Sequence, residues 1–205
     1  MTMNPRMRRL AADSDAIRTE FAGHPEISVI ALGVEPAEIY RVHYRLRGAS
    51  LDASGNPIIA GEHSVVIQLP AAYPREKPVA MTESLVFHPN FGARAGDEIC
   101  IGDYWAPTRT LADIIVAIGE MIQYQRYNTK SPLNAVAARW TAENEAIFPL
   151  GMVQLYQSEP TIVIGGGSVP SRPNTLAIAV ATVPLETSSD TSDGRIVRAT
   201  DDPDQ

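Results

Sequence analysis

Apolar residues recur at helical spacing at the start of the chain. Met7, Leu10, Ala11, Ile17 and Phe21 fall on one side of residues 5–22, and Arg6, Arg8, Arg9, Asp13, Asp15, Arg18 and Glu20 fall on the other. This pattern predicts an amphipathic helix, ended by Gly23 and Pro25. The period then changes to two. Ile27 to Leu32 is a strand, turned by Gly33-Val34-Glu35-Pro36. Tyr40, Val42, Tyr44 and Leu46 alternate with Arg41, His43 and Arg45, and His63, Val65, Ile67 and Leu69 share a face after a polar loop with Gly55-Asn56-Pro57. A fourth strand is expected at Val79 to Thr82. Short connections make these four an antiparallel meander. Leu111, Ile114, Ile115, Ile118, Met121 and Ile122 then form an apolar stripe, which predicts a helix over 111–124 facing the core. A further helix is expected from Pro132 to Ile147, with Ser131 as N-cap and Pro132 in the first turn. A helix, an antiparallel sheet and later helices make an α+β fold.

Residues 88–109 fit neither period. They contain Pro89, Gly92, Gly96, Gly102 and Pro107, so irregular, surface-running chain is expected there. From 158 onward Ser, Thr, Gly, Pro and Asp dominate. The expected organisation is therefore a domain over 1–157 and a largely disordered tail over 158–205. Within the tail, Thr161–Ile164 and Leu176, Ile178 and Val180 could pair as a hairpin, although the intervening loop is long for one.

Composition narrows the function. With 205 residues, a 44% hydrophobic fraction and a net charge of −7, the chain can bury one core, and its acid excess argues against a nucleic-acid grip. No run approaches the roughly 18 apolar residues of a membrane span. Arg6, Arg8 and Arg9 are followed by no apolar signal region. With a single cysteine, the expected address is a reducing cytoplasm. No metal or cofactor is expected, because His24, His43 and His63 have no ligand spacing.

The cysteine is Cys100. By composition alone a lone cysteine is more often a small buried hydrophobe than a nucleophile. Its place in irregular chain, beside a polar His-Pro-Asn turn, points instead to a reactive thiol.

Tyr73-Pro74, Pro78, His88-Pro89-Asn90, Ile99-Cys100-Ile101, Trp105-x-Pro107, Thr110-Leu111 and Ser131-Pro132-Leu133 follow one another in this order. In this the chain resembles ubiquitin-conjugating enzymes over roughly residues 5–150. The Asn90–Cys100 gap is longer than usual in that family, and the Cys100–Trp105 gap shorter. Gly102-Asp103-Tyr104-Trp105, Tyr127-Asn128 and Ala137-Ala138-Arg139-Trp140 look most like its bacterial branch, encoded in antiphage and related operons beside a ubiquitin-like protein and an activating enzyme.

The resemblance implies the ubiquitin-conjugating fold and a chemistry. Cys100 would take a ubiquitin-like protein as a thioester from an activating enzyme and yield it to a lysine of a target protein, ATP being used by the activating enzyme. A thiolate attacks well, and a thioester is open to aminolysis. Asn90 either donates to the tetrahedral oxyanion or bonds to backbone and fixes the loop. His88 and Pro89 support the turn, and Trp105 supports the loop after the cysteine. Alignment puts Asn144, next to Glu143, where many relatives place an acid that orients the incoming lysine. Arg6, Arg8 and Arg9 either form a solvated face or dock on the activating enzyme. Arg75, Thr108 and Arg109 replace the apolar ligase-facing residues common in the family, so ordinary eukaryotic ligases are not the expected partners. Two rival readings are a catalytically inactive binding module of the same fold and a cysteine hydrolase with His88 as base.

Overall fold

Asn4 caps the first helix, α1 (Pro5–Phe21), its side chain accepting from the Arg6 N–H. The computed structural model describes residues 4–102 and 104–156; the expected tail from 158, with its candidate hairpin, lies outside them. α1 buries Leu10, Ile17 and Phe21 as its periodicity requires, but it also buries Asp13 and Ser14, while Met7 on the expected inner side is exposed. Asp13 goes inward because three donors meet it there. The Arg9 Nε, the Tyr73 hydroxyl and the Leu111 N–H lie 2.7, 2.6 and 3.3 Å from its carboxylate oxygens. A buried carboxylate is tolerated only with such partners.

The meander forms as expected from β1 (Ile27–Leu32), β2 (Ile39–Tyr44), β5 (His63–Gln68) and β6 (Val79–Thr82), antiparallel and adjacent in that order. The register sets Val42 opposite Val29 and Val65, and Ile67 opposite Tyr40 and Ala80. All the inward side chains therefore stand on one face. The loop expected between the second and third meander strands is itself a hairpin, β3 (Gly48–Leu51) and β4 (Pro57–Ala60). Its turn is built on Asp52, whose carboxylate accepts from the Ser54 and Asn56 N–H groups.

α2 (Leu111–Ile122) crosses the inner face of the sheet. A capping box starts it: the Thr110 hydroxyl accepts from the Asp113 N–H, and the Asp113 carboxylate accepts from the Thr110 N–H. Leu111, Ile114, Ile115, Ile118 and Ile122 pack with Leu10, Ile17 and Phe21 of α1 and with Tyr40, Val42, Val65 and Ile67 of the sheet. The helix stops short of the expected 124 because Tyr124 turns left-handed (φ 58°). Its hydroxyl donates to the Phe87 carbonyl, which draws it into a second cluster with Ala49, Phe87, Ala137 and Leu150.

α3 (Ala135–Glu143) begins later than expected, capped by Asn134 rather than Ser131. The Leu133 and Asn134 N–H groups both donate to the Pro89 carbonyl, which holds the chain before 135 in a non-helical path. A 3₁₀ turn (Glu145–Ile147) follows. Residues 151–156 then run back along α2, where Leu155 is buried against Gly119; a Cβ there would lie 2.5 Å from the Leu155 side chain. Among the described residues, no helix is long and apolar enough to cross a membrane.

Candidate active site

The His-Pro-Asn turn closes on itself. The Asn90 N–H donates to His88 Nδ1 (3.1 Å) and the Phe91 N–H to the His88 carbonyl (3.1 Å). Because Nδ1 accepts, the proton sits on Nε2, which donates to the Arg126 carbonyl (3.2 Å). The ring is fully buried, edge-on to Phe91 and Tyr124. Burial drives its pKa down to about 3, against the opposing pull of the Arg126 carbonyl. His88 is therefore a neutral strut with both nitrogens engaged.

From this turn the chain passes through a tight loop and returns antiparallel, so that Phe91 bridges Ile99 and the Cys100 N–H donates to the Asn90 carbonyl (2.8 Å). The residues between absorb the long Asn90–Cys100 spacing. Gly92 lies against Asp97 where a Cβ would come within 2.1 Å of it, and Gly96 turns left-handed (φ 90°). Cys100 is half-buried.

Asn90 and Cys100 share a cavity of ≈ 190 Å³. Ile101, Gly102 and Arg109, Ala117 and Met121 of α2, and Arg126, Tyr127 and Asn128 line it with them. The Asn128 N–H donates to the Asn90 Oδ1 (2.8 Å). A backbone N–H can only donate, so this bond fixes which end of the carboxamide is oxygen. Nδ2 is left as a donor with no protein partner among the described residues.

Of the other residues singled out from the sequence, Pro89 contributes its carbonyl to the 133–134 segment. Trp105 is half-buried beside Tyr73 and donates from Nε1 to the Pro74 carbonyl (2.8 Å), which ties the two loops together outside the cavity. Asn144 does not line the cavity. It caps the C-terminus of α3, with its amide donating to the Trp140 carbonyl. Residues 126–128, rather than the end of that helix, line the cavity with the cysteine.

The three arginines separate. Arg8 is exposed. Arg6 pairs with Glu38 (2.7 Å) and donates to the Pro70 carbonyl. Arg9 is not a free docking group: it is bonded to Asp13, Tyr73 and the carbonyls of Pro107 and Arg109. Burial and its bond to the Asp13 carboxylate push the Tyr73 hydroxyl well above its ordinary pKa.

Sequence reasoning did not select Arg109, Arg126, Tyr127 or Asn128 as cavity residues. The available signal was Tyr127-Asn128 standing just before Ser131-Pro132-Leu133. Among the described residues, no three His, Cys, Asp or Glu side chains come together to hold a metal ion.

A family model described as ubiquitin-conjugating enzyme matches residues 45–153, more than half of the 205-residue chain. The chain belongs to this family. It is 31% identical over 107 residues to Ubiquitin-conjugating enzyme E2 27 of Arabidopsis thaliana, covering 51% of this chain and 54% of that protein. It is 26% identical over 106 residues to Ubiquitin-conjugating enzyme E2 21 of Caenorhabditis elegans, covering 50% and 48%. The chain thus spans about half the length of these relatives. Among solved structures, a chain described as a novel ubiquitin-conjugating enzyme matches with a TM-score of 0.50 at 20% identity, over 68% of this chain and 87% of its own. One from Plasmodium yoelii, described as a ubiquitin conjugating enzyme, matches with a TM-score of 0.52 at 20% identity, over 72% and 90%. The expected fold is therefore the observed one, an α+β ubiquitin-conjugating fold.

Proposed function

We propose that the chain carries a ubiquitin-like protein as a thioester on Cys100, received from an activating enzyme that uses ATP, and passes it to a lysine of a target protein. The observation that carries this reading is the shared cavity of Cys100 and Asn90, with the carboxamide oriented by Asn128. In charging, the Cys100 thiolate attacks the thioester carbonyl on the activating enzyme, whose own thiolate leaves. In discharge, the neutral lysine amine attacks the Cys100 thioester carbonyl, the C–S bond breaks, an amide forms, and the amine proton passes to solvent. Both steps go through a tetrahedral oxyanion, to which the Asn90 Nδ2 donates.

The hydrolase reading is disfavoured because both nitrogens of His88 are engaged away from the thiol and no other histidine is among the cavity residues. An inactive binding module would not need Cys100 and Asn90 brought together. The likeness of Gly102-Asp103-Tyr104-Trp105 and Tyr127-Asn128 to the bacterial branch supports a place in an antiphage-type conjugation system. A free thiol nucleophile suits a reducing cytoplasm.

The test is to incubate the chain with a ubiquitin-like protein and its activating enzyme and to look for a dithiothreitol-sensitive adduct. Cys100→Ala should abolish the adduct without unfolding the domain, and Cys100→Ser should trap one that resists thiol reductants. Charging that persists in Cys100→Ala would show that the nucleophile is elsewhere.

A further inference from the structure

We propose that Arg9 of α1 is a positioning residue for the transfer reaction, acting on the Cys100 cavity through Arg109. The inference rests on the reading of Cys100 as the thioester carrier. Arg9 lies 98 and 100 residues from Pro107 and Arg109, yet its guanidinium takes the carbonyls of both, with the Arg109 oxygen 2.5 Å from Nη2. These carbonyls belong to the second and last residues of the turn closed by the Arg109 N–H donating to the Ala106 carbonyl (2.9 Å). The clamp is itself held. Arg9 Nε donates to Asp13 (2.7 Å) and Nη2 to the Tyr73 hydroxyl (2.9 Å), and the two side chains of the Arg9–Asp13 pair are only 19% and 3% exposed.

At the far end of the turn, the Arg109 side chain lines the cavity, and its Nη1 donates to the carbonyl of Ile101, directly after the nucleophile (3.3 Å). A guanidinium has five N–H donors in a fixed fork. With one on Ile101, Arg109 has donors left for the carbonyls of the donor protein's C-terminal tail as it lies in the cavity. Arg9 sets where that fork stands, because it fixes the backbone that carries it. A lysine at position 9 keeps the charge but offers one nitrogen, which cannot reach both carbonyls, the tyrosine hydroxyl and Asp13 together. Displacing a positioning group by about 1 Å costs on the order of 10²-fold in rate.

The test loads Cys100 with ubiquitin carrying a C-terminal mercaptoethanesulfonate thioester. This probe needs no activating enzyme, so docking at α1 does not enter. Single-turnover discharge to free L-lysine is then followed over a range of lysine concentrations, with urea unfolding alongside. Arg9→Lys and Arg109→Met should each lower the maximal discharge rate about 10- to 100-fold while leaving the half-saturating lysine concentration unchanged. Arg18→Ala, which removes an exposed cation from the same helix, should discharge as wild type. The Arg9→Lys/Arg109→Met double variant should be no slower than the slower single, as expected for residues acting in series. A wild-type discharge rate in Arg9→Lys, with only the unfolding midpoint lowered, overturns the proposal, as do additive losses in the double variant. Should Arg9→Lys not fold, a wild-type rate in Arg109→Met overturns it on its own. A wild type that takes no thioester at Cys100 overturns the reading of Cys100 and this inference with it; one that loads and discharges keeps that reading whatever Arg9 does.

Discussion

Asn90 does two jobs with one carboxamide, and the two can be separated. Its oxygen anchors Asn128, another residue of the cavity lining, while its nitrogen is the donor we propose for the oxyanion. Asn90→Asp keeps the acceptor for Asn128 and removes the donor. Discharge to lysine should then fall on the order of 10²-fold, with the cavity lining still in place; an unchanged single-turnover rate would reduce Asn90 to a loop residue. His88 gives a second prediction, on stability. Its folded pKa is depressed by burial to about 3, below the ordinary histidine value of about 6.5. Between those values the unfolded chain takes up a proton that the folded chain refuses. The stability held by neutral His88 is therefore complete above pH 6.5 and drains as the pH falls towards 3, at a slope of up to about 1.4 kcal/mol per pH unit. Burial lowers the pKa of His63 as well, opposed by the Ala60 and Leu46 carbonyls, so it adds to the same trend. Urea unfolding at several pH values between 7.5 and 4.5 checks this. His88→Gln should be less stable at neutral pH and show a flatter acid slope.

At the scale of elements, hydrophobic period located α1, the four meander strands and α2, because their apolar residues enter one shared core. It misses what is decided by polar contacts across the fold. Asp13 counts as polar on a helical wheel, yet it is the hub under α1, and its three donors come from residues 9, 73 and 111. Serine and proline at 131–132 read as a helix start, but the Pro89 carbonyl holds the next residues out of the helix. Aligning Pro132-Leu133 and Ala138-Arg139 with the family puts Asn144 at the cysteine, whereas in the structure it caps the C-terminus of α3. β3 and β4 are four residues each around a polar turn, too short for alternation to stand out. The cysteine, the asparagine and the supporting His88 were legible because motif order does not depend on such contacts. The lining residues at 126–128 were not, because only the fold brings them there. This narrows the docking face: among the described residues, Arg8 alone of the three arginines is exposed without a bonded side-chain partner. If α1 docks on the activating enzyme, Arg8→Glu should raise the enzyme concentration needed for charging. Wild-type charging should weaken with added salt, since exposed charges are screened over about 10 Å at 0.1 M. Charging curves at two ionic strengths decide it, and coincident curves for mutant and wild type would move the docking surface elsewhere.

At the scale of the whole molecule, the domain is closed by residues 151–156. Leu155 fills the space that Gly119 leaves on α2, and its carbonyl accepts from His24 Nε2 (3.1 Å), while His24 Nδ1 accepts from the Glu26 and Ile27 N–H groups. The Val153 N–H and carbonyl are both bonded to the Gln123 amide, and the Tyr156 hydroxyl donates to Asp113 in the first turn of α2. One short segment thus joins the end of α1, the start of β1 and both ends of α2. Leu155→Ala should cost about 2–5 kcal/mol, the range for emptying a buried leucine site, read as a fall in the urea midpoint at unchanged slope. A chain ending after Leu150 loses all of these contacts and should be less stable still. One ending after Gln157 keeps them all, and should match the full chain in midpoint and in Cys100 charging and discharge. The three variants compared side by side locate the end of the folding unit. A chain ending after Gln157 that unfolds as readily as Leu155→Ala would show that residues beyond it belong to the fold, and the domain boundary would have to move into the stretch from 158 onward.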